Sequence, residues 1–238
     1  MSASHLVNPL RTLAEKYYSL IENGDKARKP DNYLDLYDTM LSCYKNHDIN
    51  ILEIGIYSGA STLIWHDYFE HARLVGIDIM DRPSVTDAIV ESGRFHFIQG
   101  DQCDDAVLRA AVDATNGAGF DIIIDDASHI GDYARRSFDF LFTSALKRGG
   151  LYFIEDFHTG YMGSWADGHA FIEPTAGSQD GIQSAFASHE YGMVGWLKQL
   201  FDQLHTEEHG NWLMPGRRMY PMESFLIIPY VFVVKKRG

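Results

Sequence analysis

Hydrophobic and polar positions follow two different patterns along the chain, and the change falls near residue 50. Before it, apolar residues recur at helical spacing over residues about 8–22 and 33–45, with a polar, glycine-containing loop at 24–30 between them. The pattern predicts two leading helices. The apolar face predicted for the first helix comprises Leu10, Leu13, Tyr17, Leu20 and Ile21.

After residue 50, short apolar runs alternate with helical stretches. Five strands are predicted, at residues 51–54, 74–78, 95–98, 120–125 and 151–155. Predicted helices lie between them, at about 60–70, 83–91, 104–115 and 131–146, and basic and glycine residues at 147–150 are expected to end the last one. This alternation is typical of a mostly parallel sheet with helices on both faces.

The C-terminal part departs from the alternation. Residues 225–228 and 231–234 read as two strands joined by a tight turn at Pro229 and Tyr230, which predicts an antiparallel hairpin at the end of the sheet. Residues 157–178 form a long loop rich in glycine and aromatics, which indicates a lid over a substrate or else a surface insertion. A further helix is predicted over 179–206, with apolar anchors at Phe186, Tyr191, Trp196 and Leu197.

Length and charge limit the classes of function. At 238 residues the chain suits one α/β domain, so we divide it into an N-terminal helical extension (1–48) and a main domain (49–238). A formal net charge of −13 argues against binding to nucleic acid or to an anionic membrane. The leading helices could pack on the sheet or on a neighbouring subunit, which leaves a homo-oligomer open.

The two cysteines and the first residues of the chain indicate the cellular compartment in which the protein is expected. Cys43 and Cys103 show no metal-type spacing, which favours a reducing environment over a disulfide framework. The first residues lack the basic and then apolar pattern of a signal peptide, and no apolar run reaches the length of a membrane span. We therefore expect a cytoplasmic protein.

A glycine-containing turn follows the first predicted strand. The segment from Glu53 to Gly59 has the pattern E-x-G-x-x-x-G, in which Gly55 would let the backbone approach a ligand and Gly59 would open a helix. Its glycine spacing differs from that of a nicotinamide-binding turn. The pattern resembles the first motif of class I methyltransferases, which use S-adenosylmethionine. The resemblance makes Glu53, Gly55, Tyr57, Ser58 and Gly59 candidate cofactor contacts.

Acidic residues at the next two strand ends support the same cofactor. Asp78 ends the second strand, where a carboxylate can accept hydrogen bonds from ribose hydroxyls. Asp101 and Gln102 follow the third strand, and the resemblance implies adenine contacts there. Asp78 could instead cap a helix and Asp101 could form a turn.

Two acidic, histidine-bearing segments follow the fourth and fifth strands. Residues 125–129 read Asp-Asp-Ala-Ser-His, and residues 155–158 read Glu-Asp-Phe-His. In a parallel sheet both segments lie at the ligand-binding edge. Carboxylates placed so close together repel one another unless a cation balances them, and oxygen ligands favour Mg²⁺.

These segments resemble the D-D-G-S-H and I-E-D-L-x-T motifs of metal-dependent sugar O-methyltransferases from antibiotic pathways, over residues about 50–160. Carried over by position, the resemblance implies that Asp126, Glu155 and Asp156 bind the metal and that His129 is the general base. Ala127 stands where the family usually has glycine. Asp125 would face either the cofactor's amino group or the loop backbone. The family implies a Rossmann-like, seven-stranded, mostly parallel sheet with a C-terminal antiparallel hairpin.

The sequence thus predicts a Mg²⁺-dependent O-methyltransferase that acts on a deoxysugar hydroxyl of a glycosylated natural product. A catechol-like acceptor is an alternative, since vicinal oxygens also chelate Mg²⁺. A cofactor-binding accessory protein without catalysis is another, although such a protein has no need for His129 beside Asp126. A metal-dependent hydrolase or hydroxylase accessory would use the acidic segments alone.

Overall fold

The computed structural model describes residues 8–20, 28–170, 191–205 and 219–238. Within these residues, seven strands form one sheet in the order β3-β2-β1-β4-β5-β7-β6. Strands β1 to β5 are parallel, and β7 runs antiparallel to both β5 and β6. The strands are β1 (Asn50–Ile54), β2 (Arg73–Asp78), β3 (Phe95–Gln99), β4 (Phe120–Asp125), β5 (Leu146–Ile154), β6 (Met222–Ile228) and β7 (Val231–Lys236). The predicted parallel sheet with a C-terminal hairpin is confirmed.

Helices cover both faces of the sheet. The seven described α-helices are α1 (Pro9–Tyr18), α2 (Asp31–Leu41), α3 (Ala60–Tyr68), α4 (Asp87–Glu91), α5 (Asp105–Asp113), α6 (Gly131–Ser144) and α7 (Gly192–His205). One face carries a core to which α1, α2 and α3 contribute, and the other a core to which α5, α6 and α7 contribute. The parallel strands are therefore covered by apolar side chains on both faces of the sheet. This agrees with their sequences, in which apolar residues follow one another without alternation.

The leading helices belong to this core. Leu10, Tyr33 and Tyr37 are buried with residues of α3 and of the central strands, and the Tyr37 ring lies 4.7 Å from the Phe153 ring. Helix α1 ends at Tyr18, earlier than predicted, and Leu20 is 64% exposed. Leu20 therefore lies beyond the helix to whose apolar face the sequence analysis assigned it. Ile21 lies outside the described residues.

Strand β5 begins at Leu146, although the sequence predicted a helix end and a loop before residue 151. Phe120 pairs with Leu146, its N–H donates to the carbonyl of Ala145 (2.9 Å), and the register then shifts before Ile122. Gly149, which lies in the irregular stretch of β5 between Leu146 and Leu151, has φ +76°. Extra backbone pairing across a bulge thus extends the strand over residues whose composition is typical of a helix end.

The long loop after β5 is described as far as residue 170. It forms two short 3₁₀ turns, Phe157–Tyr161 and Asp167–Ala170. The rest of the predicted lid, with Phe171, and the start of the next predicted helix, with Phe186, lie outside the described residues. Helix α7 matches the later part of that helix and buries Trp196 and Leu197, whereas Tyr191 is exposed. No helix among the described residues is long and apolar enough to cross a membrane.

Candidate active site

The turn after β1 passes very close to the turn after β4. Gly55 has φ +85°, and a Cβ at this position would lie 2.3 Å from the backbone oxygen of Asp126. Its N–H donates to the carbonyl of Ile77 (2.8 Å), which fixes the turn to β2. Gly59, with φ +82°, precedes α3 as its N-cap. The backbone conformation thus disfavours a side chain at both predicted glycines, and a Cβ would also clash at both, with backbone at Gly55 and with the Thr86 side chain (2.7 Å) at Gly59.

Asp78 organises the same turn from the end of β2. Its Oδ2 accepts hydrogen bonds from the backbone N–H groups of Ile56 (2.9 Å) and Tyr57 (2.8 Å), and its Oδ1 accepts one from Met80 (2.9 Å). A carboxylate has about four lone-pair sites, so Asp78 retains acceptor capacity for hydroxyl groups. Its side chain therefore shapes the turn and also presents a negative charge to the space beside it.

A cavity of about 260 Å³ lies beside this turn. We call it the first cavity. It gathers predicted cofactor contacts from the ends of three strands, and these are Gly55, Tyr57, Asp78, Asp101 and Gln102. Its remaining walls include the apolar side chains of Ile77, Ile79 and Tyr133.

Glu53, predicted as a cofactor contact, lies beneath the turn and lines neither this cavity nor the one described below. Its carboxylate accepts hydrogen bonds from Thr62 Oγ1 (2.6 Å) and Trp65 Nε1 (3.0 Å), both on α3. Burial raises the pKa of Glu53 above its ordinary value. The side chain thus ties β1 to α3, and its predicted contact with a cofactor stays a prediction.

Asp125 is also enclosed. Ser137 Oγ donates to its Oδ2 (2.8 Å), as does the Tyr152 hydroxyl (3.2 Å), and Gln102 Nε2 lies 3.3 Å from its Oδ1. Burial raises the pKa of Asp125 to about 6. Gln102 Oε1 in turn accepts the N–H of Ser128 (3.2 Å), so Asp125 supports the first cavity through Gln102. Asp125 lines neither cavity, and its predicted contact with the cofactor is likewise untested.

A larger cavity of about 470 Å³ adjoins the first. We call it the second cavity. The two share the walls formed by Gly55, Tyr57, Asp126 and Ala127. The second cavity also includes predicted residues that the first lacks, namely Ser58, His129, Glu155 and Asp156. Residues from the strand ends of β1, β4 and β5 thus meet at one edge of the sheet, as parallel pairing requires.

In both Asp126 and Asp156, one carboxylate oxygen accepts a hydrogen bond and the other faces His129. Asp126 Oδ2 accepts a hydrogen bond from Lys29 Nζ (2.7 Å), and Asp156 Oδ1 accepts one from the Tyr33 hydroxyl. The other two oxygens face His129, whose Nε2 lies 3.9 Å from Asp126 Oδ1 and 3.8 Å from Asp156 Oδ2. These last distances are too long for hydrogen bonds, so a gap separates the imidazole from both carboxylates.

Glu155 is directed into the protein interior and is 1% exposed. Both of its oxygens accept hydrogen bonds from Lys29 Nζ (2.8 and 2.7 Å), and Oε1 also accepts one from the Tyr37 hydroxyl. Burial opposes a charge on Lys29, but attraction to Asp126 and Glu155 outweighs it and raises the pKa of the lysine well above its ordinary value. We call Asp126, Glu155 and Asp156 the acidic cluster. Lys29 is therefore a buried cation in contact with this cluster.

The donor atoms suit a divalent cation. Among the described residues, Asp126, His129 and Asp156 each offer a ligand atom, and these atoms all lie within 4.8 Å of one another. Carboxylate oxygens are the ligands that Mg²⁺ prefers, and it commonly takes one or two of them together with water or substrate oxygens. Glu155, the third predicted ligand, has both oxygens engaged by Lys29.

His129 is held by its backbone and by an aromatic neighbour. Its φ is +52° and that of Asp156 is +55°, a region that residues other than glycine rarely occupy. The Trp165 ring meets the His129 ring edge-on at 5.6 Å, and Thr159 Oγ1 donates to the His129 carbonyl (3.2 Å). Backbone strain of this kind clusters at functional sites because the surrounding fold must enforce it.

His158, which the sequence analysis left without a role, also lines the second cavity. Its ring lies 4.1 Å from the Tyr230 ring in the turn of the C-terminal hairpin, and its Nδ1 lies 3.9 Å from Asp156 Oδ1. The hairpin thereby contacts the edge of the site.

Four residues of the site were not predicted. Lys29, Tyr33 and Tyr37 come from the leading segment and bond to the acidic cluster across the sheet edge. Asp167 accepts the N–H groups of Gly131 (2.6 Å) and Met193 (2.7 Å), which joins the starts of α6 and α7 beside the loop that carries Trp165. The sequence offered one signal for the tyrosines, their i, i+4 spacing on one helical face. For Lys29, in a polar loop, it offered none.

Comparisons with known proteins show which proteins the chain resembles. The chain is 34% identical over 179 residues to mycinamicin VI 2''-O-methyltransferase of Micromonospora griseorubida, a match that covers 72% of this chain and 39% of that protein. It is 30% identical over 190 residues to 8-demethyl-8-(2-methoxy-alpha-L-rhamnosyl)-tetracenomycin-C 3'-O-methyltransferase of Streptomyces olivaceus, with 77% and 42% covered. No family model matches the chain.

Solved structures agree. The methyltransferase MycE of the mycinamycin pathway, in complex with Mg and S-adenosylhomocysteine, matches with a TM-score of 0.72 and 27% identity, over 96% of this chain and 54% of that one. The predicted Rossmann-like methyltransferase fold and the resemblance to sugar O-methyltransferases are confirmed. The chain spans about half the length of these relatives or less.

Proposed function

The chain is a homologue of the sugar O-methyltransferases of macrolide and tetracenomycin biosynthesis, and from that premise we propose that it methylates a sugar hydroxyl of a glycosylated natural product. The methyl donor would be S-adenosylmethionine. One observation carries the proposal: His129 and the free oxygens of Asp126 and Asp156 converge in the second cavity, across a shared wall from the first.

The first cavity suits the cofactor in shape and charge. Asp78 can accept ribose hydroxyls while it holds the turn, and the backbone of Gly55 lines the same cavity. Asp101 and Gln102 line the end of this cavity where we place the adenine. The site needs no basic residues, because the reactive sulfonium is positive and the cofactor carries no phosphate.

Asp126 and Asp156 would hold a divalent ion through the oxygens that face His129. When bound, S-adenosylmethionine supplies an electrophilic methyl group, and a divalent ion lowers the pKa of a coordinated hydroxyl. His129 Nε2 faces the same gap, where a neutral imidazole can accept the hydroxyl proton. The fixed backbone of His129 and its contact with Trp165 would keep the base in place between substrate and carboxylates.

The second cavity is large enough for a sugar ring with part of an aglycone. Tyr33, Met162 and Trp165 give it apolar walls, against which the C–H face of a sugar can pack. A formal charge of −13 supports a neutral or cationic small molecule rather than nucleic acid or a membrane surface. Cys43 and Cys103 are both unpaired, which supports a reducing, cytoplasmic site of action.

Calorimetric titration with S-adenosylhomocysteine, repeated with Mg²⁺ and then with EDTA, tests the cofactor. We expect micromolar binding under all three conditions, because the first cavity does not depend on the ion. An acceptor panel of macrolide glycosides, rhamnosides and catechols then tests the substrate. We expect methyl transfer to the glycosides, and we expect EDTA to suppress this transfer. Absence of S-adenosylhomocysteine binding would overturn the proposal, and transfer to catechols alone would replace its acceptor.

A further inference from the structure

The loop that follows β5 is anchored on both sides of His129. Thr159 Oγ1 donates to the His129 carbonyl (3.2 Å), and the Asp167 carboxylate accepts the N–H of Gly131 (2.6 Å) just beyond it. We propose that Asp167 is a positioning residue for methyl transfer: it holds Trp165 against His129 and so fixes the direction of the imidazole. The inference rests on the proposed function, since it concerns the base of the same site.

Asp167 joins two helix starts through one oxygen. Its Oδ2 accepts the N–H of Gly131, the first residue of α6, and that of Met193, near the start of α7 (2.7 Å). The first N–H groups of a helix lack partners within the helix and carry a partial positive charge, so a carboxylate is favourable there. Ile130, the N-cap residue of α6, makes no side-chain capping bond, and Asp167 supplies one instead.

Two glycines allow the carboxylate to come this close. A Cβ on Gly192 would lie 2.2 Å from Asp167 Cγ, and a Cβ on Gly131 would lie 2.2 Å from the carbonyl carbon of Gly192. The starts of α6 and α7 and the Asp167 side chain therefore pack directly on one another. Such close packing against backbone leaves the carboxylate little freedom to move.

Trp165 is tied to this anchor through the backbone of the loop. Its N–H donates to the Met162 carbonyl (2.8 Å), and its own carbonyl accepts the N–H of Gly168, the residue after Asp167 (3.1 Å). The Trp165 ring meets the His129 ring edge-on at 5.6 Å. A displacement of Asp167 should therefore displace the indole that the imidazole contacts.

The direction of the His129 ring depends on such packing. A histidine that acts as a base is commonly oriented by a hydrogen bond at its second ring nitrogen. In His129 that atom, Nδ1, is buried and has no hydrogen-bond partner among the described residues. Within the described part of the chain, the backbone conformation and the Trp165 ring are thus what we expect to orient the imidazole.

Fluorine NMR of protein labelled with fluorotryptophan tests the anchor without cofactor, ion or substrate. The chain has four tryptophans, and a Trp165→Phe variant identifies the signal of Trp165. In Asp167→Ala we expect this signal to move toward that of the free amino acid and to show a larger solvent isotope shift. Asp167→Asn, which keeps an acceptor oxygen, should give an intermediate position, and it carries the same test if Asp167→Ala does not fold. An unchanged Trp165 signal would overturn the proposal.

Asp104→Ala is the matched control. Asp104 also accepts a backbone N–H at a helix start, that of Ala106 on α5 (2.8 Å), and it lines neither cavity. We expect the wild-type Trp165 signal in this variant. The same change of the signal in Asp104→Ala and Asp167→Ala would mean that it reports a general loosening of the fold, and would overturn the proposal.

Methyl transfer gives a second test, which separates positioning from stability. We expect Asp167→Ala to lower kcat at least about tenfold, because a small misplacement of a catalytic group is costly. Affinity for S-adenosylhomocysteine should stay within about twofold of wild type, since Asp167 does not line the first cavity. In a His129→Asn background the same substitution should lower kcat by less than about twofold, because no base remains to be positioned.

An undiminished loss of kcat in the His129→Asn background would overturn the proposal, and so would an unchanged kcat in Asp167→Ala. Absence of S-adenosylhomocysteine binding by the wild-type protein would instead overturn the proposed function. The NMR comparison needs no turnover, so the two failures are distinguishable.

Discussion

The backbone of Gly55 lies directly against the carbonyl oxygen of Asp126, so that a Cβ on Gly55 would be 2.3 Å from that oxygen. Gly55 belongs to the turn that we assign to the cofactor, and Asp126 belongs to the acidic cluster. The two cavities share both residues as a wall. A change at Gly55 should therefore affect cofactor binding and the position of Asp126 together.

Gly55→Ala should weaken binding of S-adenosylhomocysteine by at least roughly tenfold and destabilise the fold by about 2–4 kcal/mol, from the positive φ and from overlap with rigid backbone. Gly93→Ala is the control, since Gly93 also has a positive φ (+72°) but nothing lies within 4 Å of its added Cβ. That variant should lose only about 1 kcal/mol and keep its affinity. Calorimetry and denaturant unfolding measure both, and equal effects in the two variants would contradict the argument.

Asp78→Ala should affect the same turn from the opposite side. It removes the acceptor for three backbone N–H groups and for the ribose, so we expect a loss of about 1–3 kcal/mol in stability and at least roughly tenfold in affinity for S-adenosylhomocysteine. Asp104→Ala is the control. Asp104 caps α5 through the N–H of Ala106 (2.8 Å), so its loss should cost about 1 kcal/mol without a change in affinity. Unaltered binding by Asp78→Ala would exclude Asp78 as a ribose contact.

The order and type of most elements were predictable because apolar runs and helical spacing report burial directly. The sheet edge that gathers the site was predictable too, since the ends of parallel strands converge there. Strand β5 was predicted too short, because its first residues are strand only through pairing with Phe120 across a bulge. Composition at one segment does not encode pairing with another.

The detailed roles within the site were less predictable. Glu53 and Asp125 stand in the expected segments, but each side chain turns into the interior and bonds to a helix. Lys29 lies 97 residues before Asp126 and 126 residues before Glu155, so no local pattern links them. Long-range contacts of this kind depend on how the leading helices pack on the sheet, which hydrophobic spacing indicates only in outline.

The thiol of Cys103 should react slowly with alkylating agents at neutral pH. Burial, and then the charge of Asp101, raises the pKa of its thiol to about 11. A raised pKa disfavours the reactive thiolate. At pH 8 we therefore expect alkylation of Cys103 to be roughly 100-fold slower than that of a thiol with an ordinary pKa. The rate should increase with pH until the pH approaches 11. Iodoacetamide labelling followed by peptide mass spectrometry compares it with exposed Cys43 in the same sample. Asp101→Asn should accelerate labelling of Cys103 only, by less than the effect of burial; equal rates for the two cysteines in wild type would contradict the prediction.

His129 should act on the substrate proton rather than as an obligatory ligand of the ion. Its Nε2 is nearly equidistant from Asp126 Oδ1 and Asp156 Oδ2, at 3.9 and 3.8 Å, and faces the gap where a hydroxyl would bind. His129→Asn should therefore lower kcat for methyl transfer by roughly 10²–10⁴-fold, the usual contribution of a general base. Binding of S-adenosylhomocysteine and of Mn²⁺, used as a spectroscopic substitute for Mg²⁺, should change by less than about threefold, because carboxylates, and not the imidazole, are the proposed ligands of the ion.

The control for this variant is His96→Asn, an exposed histidine on β3 outside both cavities, which should leave kcat unchanged. Initial rates with the best glycoside from the acceptor panel measure kcat. Added imidazole should restore part of the activity of His129→Asn and should not change that of His96→Asn. The opposite pattern is equally informative. A tenfold loss of Mn²⁺ affinity in His129→Asn would place the imidazole in the coordination sphere, and since a coordinated nitrogen has no lone pair for a proton, the base would then have to be another group.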